Sequence, residues 1–162
     1  MAIDPLVLIF LSSGLFLGWA LGANDAANVF GTAVGTKMVS WRTAAIICSI
    51  CVLLGALFSG AGTTETLGKL GAISALPGAF MTALSAGFSV FIMTKGGLPV
   101  STSQAIVGAI IGWNFFSQKP TDTVILLKIL STWILGPLLA GIIAVLLVRL
   151  IKFLARRMAI HM

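Results

Sequence analysis

The chain has 162 residues, of which 59% are apolar and 9% charged, and its mean hydropathy is +1.13. Soluble domains carry about 25% charged residues, so this composition excludes an ordinary soluble protein and predicts a single integral membrane domain over residues 1–162. The net charge of +6 does not indicate nucleic-acid binding, because four of the ten basic residues lie in the last fourteen positions. We expect these residues to form a basic cytoplasmic tail at 149–162.

Five apolar stretches follow one another along the chain, at 5–35, 43–60, 79–95, 104–116 and 123–150. A spanning helix needs about 20 residues. The first stretch is too long for one helix and contains the polar sequence GAND, whereas the fourth is too short to span alone and follows GGLPVSTS. The pattern predicts an all-α integral membrane protein with about five crossings, a broken first helix and a short half-helix with a hairpin. The N-terminal MAIDPL lacks a basic region, so we expect no cleaved signal peptide.

The polar side chains of the first stretch are Asn24, Asp25 and Asn28, which lie within about one turn. A helix that resumes near Ala26 would direct free N–H groups and a positive dipole end toward the break, and both favour an anion. The Asp25 carboxylate opposes an anion, and two interpretations remain open. Asp25 binds a cation such as Na⁺ together with amide and backbone oxygens, or it accepts a hydrogen bond from an anion that still carries a proton.

The fourth stretch begins with three consecutive hydroxyls, Ser101, Thr102 and Ser103. One of them suffices to cap a helix, and the group is suited to binding a tetrahedral oxyanion with the exposed N–H groups. Two interrupted segments of this kind are typical of the substrate sites of secondary transporters. Both segments also contain a GxxxG spacing, which predicts close helix packing, at Gly31 and Gly35 and at Gly108 and Gly112.

Two further segments lie outside the interrupted stretches. The pair CSIC, Cys48 and Cys51, predicts two small apolar residues on one helix face rather than a redox or metal site, since no second cysteine pair exists. Residues 61–78 are expected to form a connector in which Thr63 or Thr64 caps a short helix. A solvated connector and a position near a transport path are both open for it.

The basic residues predict an orientation in the cell (inner) membrane. With five crossings, seven of them share one side and three lie on the other, which places the N-terminus outside and the C-terminus in the cytoplasm. The first group comprises Lys37, Arg42, Lys95 and the four tail residues, and the second comprises Lys69, Lys119 and Lys128.

Three motifs in this chain resemble those of the inorganic phosphate transporter (PiT) family. GANDAANVFGTAVGTK resembles the family's form GANDxANxxGTxVGS, GLPVSTSQAIVGAIIGW resembles GLPVSTTHxIVG, and TTETLGKL resembles VTETIRKG. The motifs come in the family's order and spacing. The resemblance covers nearly the whole chain but only one of the family's two inverted repeats, the N-terminal one.

The resemblance implies symport of inorganic phosphate with Na⁺ or H⁺ and needs no cofactor beyond that ion. It assigns phosphate binding to Asn24, Asp25, Asn28, Ser101, Thr102 and Ser103. It assigns the coupling ion, including a possible Na⁺ at Asp25, to Asp25, Asn28 and Thr32, of which Thr32 is the weakest match. No other metal is implied.

Two departures from the family concern the coupling ion. Gln104 stands where many members have His, and Val52 stands where many have Glu. Neither residue titrates, so the sequence leaves Na⁺ and H⁺ open.

The half-length predicts a working unit of two inverted halves in the lipid bilayer, either two copies or this chain with a partner half. The charge bias argues against random orientation and favours a distinct partner or a truncated longer protein. The alternatives are a permease for sulfate or another tetrahedral oxyanion and a non-transporting membrane subunit. An enzyme is not expected, because no nucleophile–base pair, metal cluster or phosphate loop is present in the sequence.

Overall fold

The computed structural model of the chain describes residues 5–71 and 76–157. Within these residues the structure contains five helices and no strand, which confirms the all-α prediction. The helices are α1 (Pro5–Gly35), α2 (Trp41–Leu70), α3 (Leu76–Lys95), α4 (Thr102–Phe116) and α5 (Thr123–Arg157).

Four of the helices are long and apolar enough to cross a membrane, namely α1, α2, α3 and α5. The fourth helix, α4, has 15 residues and is about 22 Å long, less than the roughly 30 Å of a bilayer core. The prediction of a short fourth helix is therefore confirmed. Gly96 to Ser101 form the turn that leads into it.

The predicted break in the first helix is wrong, since α1 continues without interruption through Asn24, Asp25 and Asn28. Gly, Asn and Asp each cost only about 0.5–1 kcal/mol in a helix, whereas an unwound segment in lipid leaves several backbone groups unpaired. After Pro5 the helix contains no proline that would remove an N–H donor. Similarly, α2 continues to Leu70, so no separate short helix is capped at Thr63 or Thr64.

The helices α1 and α3 pack in parallel, because α2 returns the chain between them. Phe10 contacts Phe80 near their starts, with ring centroids 5.8 Å apart, and further along Phe16 lies against Gly87. Gly87 permits a close approach of the two helix backbones, since a Cβ atom there would lie 3.1 Å from the Cα atom of Leu17.

The helix α4 packs on α3 in the opposite direction, and a glycine again allows the contact. A Cβ atom at Gly78 would lie 2.9 Å from the Trp113 ring. The GxxxG glycines behave differently from the prediction: a Cβ atom would meet nothing within 4 Å at Gly31, Gly35, Gly108 or Gly112. The spacing alone therefore did not identify the packed glycines, and these four faces are open in the single chain.

Three helices end in Schellman motifs, in which two backbone bonds close a turn around a left-handed residue. That residue is Gly97 after α3, with φ 72°, but Lys37 after α1 and Gln118 after α4, with φ 60° and 54°. After α3, the N–H of Gly97 donates to Thr94 O and that of Leu98 to Met93 O, both at 3.0 Å.

The far end of α4 is tied to the end of α2 by a buried amide. Asn114, which is 1% exposed, donates from Nδ2 to Thr121 Oγ1 at 2.9 Å and to Leu70 O at 3.5 Å. Gly71, the residue after α2, lies so close to α4 that a Cβ atom there would be 2.5 Å from Ile110 Cγ2.

The chain divides into two compact units, Met1–Asp122 and Thr123–Met162. In its described part the second unit is α5, which contains Pro137. The predicted tail at 149–162 begins inside α5, and residues 158–162 lie outside the described residues. The single-domain assignment and the cytoplasmic position of the tail stay predictions.

Candidate functional site

Asn24 is a cross-helix contact between α1 and α3. Its side chain is 4% exposed and donates from Nδ2 to Thr94 Oγ1 at 2.9 Å. Its Oδ1 accepts a hydrogen bond from Asn28 Nδ2, one turn further along α1, at 3.3 Å. A buried amide requires such partners, because leaving its polar atoms unpaired costs about 1–3 kcal/mol.

Asp25 joins the two motifs that are 77 residues apart in sequence. Thr102 Oγ1 donates to Asp25 Oδ2 at 3.4 Å, which is long for an O–H···O bond. Asp25 is half-buried and Thr102 is buried. The structure therefore brings together the two polar segments that the sequence singled out.

The first turn of α4 supplies hydrogen-bond donors next to Asp25. Ser101 is the N-cap and accepts from the N–H of Gln104 at 3.4 Å, and its hydroxyl lies 3.0 Å from that of Ser103. The N–H groups of a first turn have no partner within the helix. Because α1 is unbroken, the expected free N–H groups of a half-helix after Asp25 do not exist, and helix-end donors come from α4.

Asn28 and Thr32 lie on the part of α1 that continues past the end of α3, and both are exposed. Asn28 is connected to the site through Asn24. Thr32 lies about 10 Å further along α1 than Asp25 and therefore stands apart from the Asp25–Thr102 contact.

Thr94 is the residue that sequence reasoning missed. It lies in the last turn of α3, half-buried, and it is the acceptor for the Asn24 amide. The available signal was a hydroxyl two residues before Gly96, where the turn that leads to GLPVSTS begins. Such residues are usually explained by backbone bonding within the helix.

The site combines acceptors and donors. Asp25 supplies a carboxylate, Asn28 an amide, and Thr102 with the start of α4 supplies a hydroxyl and N–H groups. Among the described residues no group of three His, Cys, Asp or Glu side chains lies close enough to hold a metal ion. Oxygen atoms of this kind suit a weakly held hard cation, and the donors suit an oxyanion.

A separate groove of about 280 Å³ lies between α3 and α4, lined by residues that include Met81, Ser85 and Trp113. None of the predicted site residues lines it. Cys48 and Cys51 are free thiols on α2.

Comparison with known proteins relates this chain to a family. The family described as "Phosphate transporter family" matches residues 21–162. A protein of Pyrococcus furiosus with the name "Putative phosphate permease" is 36% identical over 166 residues, covering 92% of this chain and 39% of the relative. Proteins of that name in Haemophilus influenzae and Helicobacter pylori are 34% and 31% identical.

These two matches cover 86% and 91% of this chain and 36% and 30% of the relatives. The chain thus spans less than half the length of the curated relatives it matches. No solved structure matches the chain.

Proposed function

Since the chain belongs to the phosphate transporter family, we propose that it takes part in moving inorganic phosphate across a membrane by symport with Na⁺ or H⁺. The observation that carries this proposal is the Thr102–Asp25 contact. It places a carboxylate beside the N-terminal turn of α4, so one place in the molecule offers groups for an anion and for its coupling cation.

Phosphate fits this mixture of groups better than sulfate does. Near neutral pH phosphate retains a proton, so it donates to a carboxylate while its other oxygens accept from hydroxyl and N–H groups. Sulfate has no such proton and would leave Asp25 facing unpaired negative charge. Sites built around a buried hydrogen bond discriminate strongly against an analogue that lacks it.

We propose further that this chain supplies half of the working unit. Its length is about 40% of that of its relatives, and α4 is too short to span. The open faces at Gly31, Gly35, Gly108 and Gly112 offer room for closely packed helices. The second half is an inverted second copy, a partner chain or the remainder of a longer protein, and the charge bias argues against two randomly oriented copies. In this arrangement the N-terminus is outside the cell (inner) membrane and the C-terminus is cytoplasmic.

Uptake of labelled phosphate into proteoliposomes tests the function. The purified chain is reconstituted with any chain that crosslinks to it, and Na⁺ and pH are varied independently. Symport predicts uptake that rises with one of the two cation gradients. Uptake that does not depend on either gradient contradicts symport. Absence of uptake under every condition favours the alternative that the chain is a non-transporting membrane subunit.

Asp25→Asn tests the role of the carboxylate, with Asp122→Asn as the matched control in the loop before α5. We expect Asp25→Asn to abolish uptake or to relax the preference for phosphate over sulfate, while the control keeps both. Unchanged uptake and preference in Asp25→Asn would contradict the mechanism. A chain that is strictly monomeric by native mass spectrometry and transports phosphate alone would contradict the two-half arrangement.

A further inference from the structure

A hydrogen-bond chain leads from α3 into the candidate site. Asn28 Nδ2 donates to Asn24 Oδ1 at 3.3 Å, and Asn24 Nδ2 donates to Thr94 Oγ1 at 2.9 Å. Thr94 touches neither Asp25 nor the α4 hydroxyls in these bonds, so it acts on the site through Asn24.

The chain has a direction, which follows from the two ends of each amide. The amide nitrogen of Asn24 faces Thr94, and therefore its oxygen faces Asn28. Because the nitrogen of Asn28 is used in that bond, its carbonyl oxygen is the end that remains for a ligand. Asn28 and Asp25 lie three residues apart on α1, and such side chains are neighbours on a helix surface.

We propose that Thr94 is a positioning residue of this site. Its hydroxyl is the partner of the buried Asn24 amide and holds that side chain in place, and Asn24 in turn holds Asn28 beside Asp25. The resulting pair of oxygen groups favours the coupling cation, either as Na⁺ or as a proton carried by Asp25. The inference rests on the proposed symport function.

The backbone of Thr94 lies at the start of the turn that leads to α4. Thr94 O accepts the Gly97 N–H at 3.0 Å in the Schellman motif after α3, and the chain from there reaches Thr102, the partner of Asp25. Thr94 is thus fixed at the start of the segment that delivers the second contact of the site.

The test compares Thr94→Val, which keeps the shape and removes the hydroxyl, with Thr94→Ser, which keeps the hydroxyl. Thr82→Val is the matched control, because its buried hydroxyl on α3 bonds to Gly78 O and Ala79 O within its own helix. The readout is labelled phosphate uptake as a function of Na⁺ at fixed pH and of pH without Na⁺. The cation that drives the wild-type chain is then titrated in each variant.

We expect Thr94→Val to raise the half-saturating cation concentration by about three- to ten-fold, the effect of losing one hydrogen bond of ordinary net strength, with a smaller change in maximal rate. Thr94→Ser and Thr82→Val should match the wild type. If Thr94→Val also matches it, or Thr94→Ser fails equally, this inference is overturned while the proposed function stands. Absence of uptake in the wild type overturns both.

Discussion

The substitution Gly87→Ala tests the packing of α1 against α3. An added Cβ atom would lie 2.9 Å from Phe16 Cδ1 and 3.1 Å from Leu17 Cα. Ordinary carbon contacts are about 3.5 Å or longer, so these atoms must separate by roughly 0.4 to 0.6 Å. The Phe16 ring can turn, but Leu17 Cα is backbone, and the helices have to move apart.

The expected cost of this overpacking is about 1–3 kcal/mol of unfolding free energy. The displacement also reaches the site, because Gly87 lies two turns before Thr94 on α3. The Thr102–Asp25 distance of 3.4 Å is already long for an O–H···O bond, so a further separation of that size would break the bond. We therefore expect phosphate uptake to fall together with stability.

Thermal unfolding of the purified protein in detergent, followed by tryptophan fluorescence, measures the first effect, and proteoliposome uptake measures the second. Gly14→Ala is the control on α1, where a Cβ atom would meet nothing within 4 Å, and it should cause no loss. If Gly87→Ala unfolds at the wild-type temperature, or if Gly14→Ala is the more damaging change, the parallel packing described above is wrong.

Three further predictions concern stability in the same unfolding assay. Gln118→Gly should stabilise the protein by about 1 kcal/mol, because glycine adopts the left-handed conformation without the cost of about 1–2 kcal/mol that a side chain adds. Gly97→Ala should destabilise it by about the same amount. If both substitutions shift the unfolding temperature in the same direction, the assignment of left-handed residues at these two helix ends is wrong. Gly71→Ala should destabilise by about 1–3 kcal/mol through its clash beside α4, and Gly68→Ala, which meets open space, should not. Glu65→Gln removes an exposed ion pair with the lysine one turn later and should leave the unfolding temperature unchanged; a clear drop would show that this pair is not solvated.

The helices were predictable from hydropathy, because apolar runs of sufficient length have few alternatives in lipid. The continuity of α1 was not, since a polar and glycine-rich sequence weakens a helix without deciding whether it breaks. That decision depends on the backbone bonds that unwinding would lose. The packed glycines were missed for a related reason. Gly78 and Gly87 are nine residues apart and carry no GxxxG spacing, and only the neighbouring helix shows which glycine faces it.

The candidate site was predictable as a set of residue types but not as a set of contacts. The sequence identified Asp25 and Thr102 separately, and the structure supplies the bond between them. Thr94 was not predictable, because a hydroxyl in a helix end has many local partners. Its role depends on the parallel arrangement of α1 and α3, which no local pattern encodes.

The unbroken α1 limits how this part of the molecule can move. Asn24, Asp25 and Asn28 are carried by a single stiff rod, so they shift together rather than one at a time. Any change in their distance to Thr94 or Thr102 is then a sliding or tilting of whole helices, as in shear motion between packed elements. The short turn at 96–101 is the non-helical connection between α3 and α4. We therefore expect α4 to move as one unit along α1.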